Sequence, residues 1–230
     1  TLTLAGGSVR TDGTARTVSN PVTLSAATGM GVALGNGLTL AGITTLTANA
    51  VVNVTGGTAT FAGPVNGAFG LAQVGAGTLA LTSANGLGGP VTVSGGLTLA
   101  GNGAVQNVRV VTVNPAGTLT LDNTGTNAAD RLSDLAGLVL NGGTVNLLGS
   151  AAAASTETVA SVTLNAGTST INVTPGSGQS AVLTGGFLGR NAGATLALPA
   201  AIGSATAQLR FTTAPALSNG LLPYVTVGTG

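Results

Sequence analysis

The sequence predicts an all-β chain, a parallel β-helix (β-solenoid) with coils of about 20 residues and an expected right-handed sense. Three observations carry this. First, a glycine followed at once by a short alternating strand recurs about every 20 residues, in the repeat-length range of solenoids. It stands at Gly37-Leu-Thr-Leu, Gly57-Thr-Ala-Thr-Phe61, Gly77-Thr-Leu-Ala-Leu81, Gly96-Leu-Thr-Leu, Gly117-Thr-Leu-Thr-Leu121 and Gly137-Leu-Val-Leu140. Second, each strand alternates apolar residues with Thr, Ala or Asn, the period of two that buries one face. Third, the apolar residues are mostly Leu, Val and Ala, with four Phe, one Tyr and no Trp. Such residues fill a narrow coil interior. The alternative, an antiparallel sandwich or barrel, calls for bulkier side chains from two sheets.

Taken in order, residues 1–16 give a strand, the pair Gly6-Gly7 and a polar turn from Arg10 to Arg16. Arg16 to Leu24 enters a new coil. Residues 37–121 are the most regular part, and Gly75 to Asn102 holds a little more than one coil. Leu38 and Leu40, Leu79 and Leu81, Leu97 and Leu99, Leu119 and Leu121, and Leu138 and Leu140 are expected to point inward and stack. The intervening threonines are expected outside, where a β-branched side chain suits a strand. A second strand is expected between the glycine-led ones, at Ile43 to Leu46, Pro64-Val65, Pro90 to Val93, Val108 to Val113, Val145 to Leu147 and Val162 to Leu164. Pro21, Pro64 and Pro90 sit at strand starts, where no central ladder bond is lost.

After Leu121 the pattern loosens. Asp122 to Arg131 is expected to protrude, and Ala128 to Leu135 to form a short helical turn. Ala151 to Glu157 reads as a second loop or turn of helix. Strands are expected at Val159 to Leu164, Thr168 to Val173, Val182 to Thr184, Gln208 to Thr212 and Tyr224 to Val227. No linker separates two cores, so 1–230 is expected to be one continuous domain. About eleven coils at about 4.8 Å each would give a rod of roughly 50 Å. The chain opens in strand-like Thr1-Leu2-Thr3-Leu4 and closes at Val227-Gly228-Thr229-Gly230. Neither end resembles a polar cap, so a segment of a longer protein is expected, with self-association through solenoid ends or tandem repeats.

Composition narrows function. Charged residues are 5% of the chain, against about 25% in ordinary soluble domains. A hydrophobic content of 43% argues against disorder. A net charge of +1 with six scattered arginines offers no field for nucleic acid or an anionic membrane surface. Mean hydropathy is +0.54, yet no apolar run reaches the about 18 residues of a membrane helix. No membrane insertion by this segment is expected, and no signal peptide is recognisable. Cysteine is absent, which excludes thiolate sites and disulfides and leans the localisation toward the cell exterior.

The stretch Gly75-Ala76-Gly77-Thr78-Leu79-Ala80-Leu81, then Ala84-Asn85, Gly88-Gly89-Pro90-Val91-Thr92-Val93 and Gly95-Gly96-Leu97-Thr98-Leu99, resembles the autotransporter-associated β-strand repeat, or passenger-associated transport repeat. Two departures stand out. The aromatic usual in the Asn loop is replaced near Leu87, and Leu97 stands where the family has Thr. Arg16 to Pro21, Ala129 to Asp134 and Gly220 to Tyr224 look like regions that accompany this repeat in large secreted bacterial proteins. The resemblance implies a β-helical passenger-type segment at the bacterial cell surface or outside the cell.

Without His, Cys or Lys, catalysis would rest on Asp12, Asp122, Asp130, Asp134, Glu157, the arginines and hydroxyls. Glycan-active β-helices bring several such groups onto one face. Here only Asp130, Arg131 and Asp134 lie together, and a salt-bridged surface turn is the expectation for them. No catalytic, cofactor-binding or metal residue is assigned and no cofactor is expected. The glycine-aspartate repeats and EF-hand spacing of calcium sites are missing. Asn102, Asn123 and Asn141 could form a surface binding row, although turn ladders are the commoner use of Asn in solenoids. Threonine faces could meet a flat surface such as glycan or ice. The leading expectation is a structural segment, a rigid spacer, fibre or surface-layer block, rather than an enzyme. The alternative is an adhesin whose loops 122–134 and 149–158 bind glycan or a cell surface.

Overall fold

The computed structural model describes residues 1–25, 28–31 and 37–228; the terminal Thr229-Gly230 lies outside them. Among the described residues there is no helix, and the chain is a β-solenoid of about nine turns with roughly 22-residue coils. Where all three faces are complete a coil carries three strands, because glycine- and asparagine-rich corners interrupt the alternating sequence twice per turn and once between turns. The coil at the centre of the chain runs Gly86–Leu87, Val91–Val93 and Gly96–Leu99. Val91–Val93 and Gly96–Leu99 pair in parallel with their equivalents one coil before and one coil after, and Gly86–Leu87 with its equivalent one coil before, so three faces build up along the axis.

The first face holds a five-stranded sheet from Leu2–Leu4 to Gly86–Leu87, counted over the described residues. The second holds nine strands, from Ser8–Arg10 to Leu188–Arg190, and the third ten, from Arg16–Val18 to Val225–Val227. Beyond Leu87 the first face thins to single parallel bridges, Ala84 to Ala104 and Val105 to Leu132. It resumes as a separate sheet of Ser155–Val159, Ala181–Gly185 and Ala207–Phe211.

Inside, the alternation does what the sequence predicts. On the third face Leu38, Ala59, Leu79, Leu97, Leu119, Val145 and Ile171 form one inward row by strict register. Leu40, Phe61, Leu81, Leu99, Leu121, Leu147 and Val173 form a second. All are buried. Thr60, Thr98 and Thr120 face outward between them. Along the third face each coil thus adds one ladder of backbone hydrogen bonds and one apolar layer, at about 4.8 Å per coil. Nine turns give a rod of about 40 Å, shorter than the expected eleven coils would.

Several expectations need correction. The strands taken as one intermediate series belong to different faces: Thr44–Leu46 to the first, Val91–Val93 to the second, Thr144–Leu148 to the third. The glycine-led beat changes face after Leu121. Gly137–Leu140 stacks on Val110–Val113, and Thr144–Leu148 stacks on Thr118–Asp122. The cause is coil length. Val65 and Asn85 meet across 20 residues, whereas Asn146 and Asn172 meet across 26. The expected helical turn at 128–135 is irregular chain, and residues 155–157 belong to the strand Ser155–Val159. The single strand expected from Val159 to Leu164 is two, Ser155–Val159 and Ser161–Leu164, on different faces.

The corners explain the glycine content in one place particularly well. A Cβ at Gly95 would lie 2.0 Å from the Gly75 carbonyl oxygen, in the backbone of the preceding coil. The Gly95 carbonyl meanwhile accepts from the Thr118 N–H at 2.7 Å, on the following coil. Gly95→Ala must therefore spread coils that are tied on both sides. A loss of about 1–3 kcal/mol is expected, read as a lower urea midpoint than wild type.

Candidate functional site

The longer coils take up their extra residues largely at one corner, between the third and first faces. That corner is Ala100–Gly103 early on, then 123–131, 149–154 and 175–180. The enlarged loops stack. Asn127 Nδ2 donates to the Ala154 carbonyl at 2.8 Å, and the Ser155 hydroxyl donates to Asn127 Oδ1 at 2.8 Å. Ser155 Oγ also accepts from the Ser150 N–H at 2.9 Å. The result is an exposed ridge of small residues, Thr124 to Asn127 and Ala151 to Ala154.

Beneath the ridge lies a buried polar knot. Arg131 is fully buried. Its Nε donates to Asn123 Oδ1 at 2.7 Å and its Nη1 to the Gly103 carbonyl at 2.7 Å. Its Nη2 donates to the carbonyls of Asp122 at 2.6 Å, Thr126 at 2.8 Å and Gly101 at 3.1 Å. Among the described residues no carboxylate touches the guanidinium; carbonyl dipoles surround the charge instead. Burial pulls its pKa down, opposed by the nearby charges of Asp122 and Glu157.

Glu157 is also fully buried, and it occupies the gap in the first face. Its Oε2 accepts the Arg131 N–H at 3.0 Å and its Oε1 the Leu132 N–H at 2.9 Å. Two backbone donors that a neighbouring strand would otherwise satisfy end on one carboxyl group. Burial pushes this carboxyl up to about 8. The Leu132 and Arg131 N–H groups pull it back, the Asp130 charge adds to the rise, and the Arg131 charge opposes it.

This arrangement corrects the expectation of a salt-bridged surface turn. Asp130 and Asp134 are exposed and make no ion pair with Arg131. Asp130 contributes only its carbonyl, to Gln106 Nε2 at 2.9 Å. Asp12 lies far along the chain in an exposed turn. Its carboxylate pairs with Arg16 and accepts from the Thr14 hydroxyl, and these partners, Arg16 foremost, hold its pKa well below the usual carboxylate range. Asp122 accepts from the Thr124 hydroxyl and N–H, closing its own turn. Asp12, Asp122 and Glu157 therefore have separate local tasks.

Nor do Asn102, Asn123 and Asn141 share a row. Asn123 belongs to the knot, and Asn102 is exposed, its N–H bonded to the Thr82 carbonyl. Asn141 stands in a ladder at the corner between the second and third faces. There Asn114 donates to Ser94 Oγ at 2.9 Å, Asn141 to Asn114 at 2.9 Å, Asn165 to Asn141 at 2.7 Å and Asn191 to Asn165 at 2.6 Å. A shallow groove of about 560 Å³ lies beside this corner, where a short turn at Ser94-Gly95 sits between longer ones. Thr78, Thr98, Thr118 and Thr120 line it, with glycines and no charged group.

No family model, no curated protein and no solved structure matches the chain.

Proposed function

We propose that this chain is a structural β-solenoid segment of a bacterial protein, working as a rigid spacer at the cell surface or outside the cell. One observation carries the reading. The inward rows of the third face keep strict register from Leu38 to Ile171, through coils of both lengths, so added sequence becomes added length. The resemblance of residues 75–99 to the autotransporter-associated repeat and the lack of cysteine support the external location. The test duplicates residues 66–85 and places spin labels on cysteines introduced at exposed Ser19 and Ala192; the chain has no other cysteine. A narrow distance distribution that lengthens by about 4.8 Å supports a rigid, extensible rod. A broad or unchanged distribution overturns it.

A second reading, adhesion, is favoured by the stacking of loops 123–131 and 149–154 into one exposed ridge through Asn127. Retention of the whole chain on a glycan array, lost in Ala152→Lys, supports it. No retention of the wild-type chain removes it.

A further inference from the structure

We propose that the oxygens around Arg131 form a cation-binding cage for a planar guanidinium group, with the native occupant supplied by the chain itself, and that loop 123–131 takes its shape around that cation. Four main-chain carbonyls, of Gly101, Gly103, Asp122 and Thr126, and Asn123 Oδ1 converge on the guanidinium at 2.6–3.1 Å. These oxygens come from two successive corners, the second of which is the loop that carries the arginine. Among the described residues no other side chain binds them into one ring. Loop and cage are therefore one object, organised by a charge at its centre.

Asn123 gives independent support. Its Oδ1 accepts from both Arg131 Nε and the Ala128 N–H, at 2.7 and 3.1 Å. Its buried NH2 group finds no acceptor among the described residues. A side chain choosing its own best pairing would not leave two donors idle. The guanidinium, with the Ala128 N–H, sets its orientation. The fork of donors matters as much as the charge, because a guanidinium reaches several acceptors in one plane and an ammonium does not. Arg131 acts here as a positioning residue for the loop and, through its backbone N–H on Glu157, for the joint to the next coil.

The experiment uses the full chain with Arg131→Ala. Its thermal midpoint is expected to fall below wild type. Low-millimolar guanidinium chloride should raise that midpoint, by an amount growing with the logarithm of its concentration, as for any ligand bound only by the folded state. Sodium and tetramethylammonium chloride at equal ionic strength should not, and the wild-type midpoint should not rise. Arg131→Lys, which keeps the charge without the fork, should also be destabilised and gain less from guanidinium. If Arg131→Ala does not fold unaided, its refolding yield from urea is measured with guanidinium against sodium, and a higher yield with guanidinium is expected. Equal response to the three salts, or a variant as stable as wild type, overturns the proposal.

Discussion

Glu157→Ala is expected to lower the stability of the chain by on the order of 4 kcal/mol. Each buried donor left without a partner costs about 1–3 kcal/mol, and this substitution orphans the N–H groups of Arg131 and Leu132 together. Glu157→Gln keeps one acceptor, turns an NH2 toward the other N–H, and should fall between the two. Urea unfolding of the three proteins at one pH checks the order. A loss in Glu157→Ala no greater than that of an exposed substitution such as Thr156→Ala would show that the carboxyl does not close the gap.

The same residue sets a pH dependence whose sign follows from its environment. Its folded pKa, about 8, lies above the ordinary value of 4.5. The unfolded chain therefore releases this proton first as pH rises. Stability from Glu157 is complete below pH 4.5 and is lost as pH climbs through about 8. At roughly 1.4 kcal/mol per pKa unit, a decline of a few kcal/mol across that window is expected in wild type. It should be absent from Glu157→Gln. Asp12 acts oppositely: its lowered pKa gives stability present above its ordinary 3.8 and lost as the medium becomes more acid. A wild-type profile that is flat between pH 5 and 8 would contradict the burial argument for Glu157.

Phe61→Ala is expected to cost about 3–5 kcal/mol, the range for an aromatic removed from a packed core. Phe61 is completely buried, between Leu40 and Leu81 in its inward row. Its neighbours are held in register by backbone ladders on both sides and cannot close in on the space. Phe61→Leu would make the row leucine from 40 through 147 and should cost less than about 1.5 kcal/mol. Equal losses for the two variants would mean that the interior tolerates voids and that the rows do not carry the stability assigned to them.

What the sequence revealed follows from which interactions are periodic. Leu79, Leu97 and Leu119 could be placed inside because alternation is a local signal that every coil repeats. Face assignment after Leu121 could not, because the beat counts residues and is blind to which corner receives the extra ones. Thus Gly137–Leu140 keeps the spacing of the earlier strands yet sits one face away. Arg131 was hidden for a different reason. A lone arginine flanked by Asp130 and Asp134 has the pattern of a solvated turn, and its carbonyl partners carry no sequence signature. Glu157 did leave a trace. In Ser155-Thr156-Glu157-Thr158-Val159 the two β-branched threonines take the outward positions of a strand, which puts the glutamate inward.

The asparagine ladder from Ser94 to Asn191 has a direction. At each rung the amide nitrogen of the later residue donates to the oxygen of the earlier one. The amides form a single file of aligned dipoles, each polarising the next. The two ends of this edge are chemically unlike: a hydroxyl oxygen receives the first bond, while the last carboxamide gives its hydrogen and keeps its own oxygen to offer onward. Removing one member unpairs the neighbour on either side, so harm to this edge spreads along the axis rather than across it. The rod is thus a vector, able to tell one end from the other along a line of uncharged side chains.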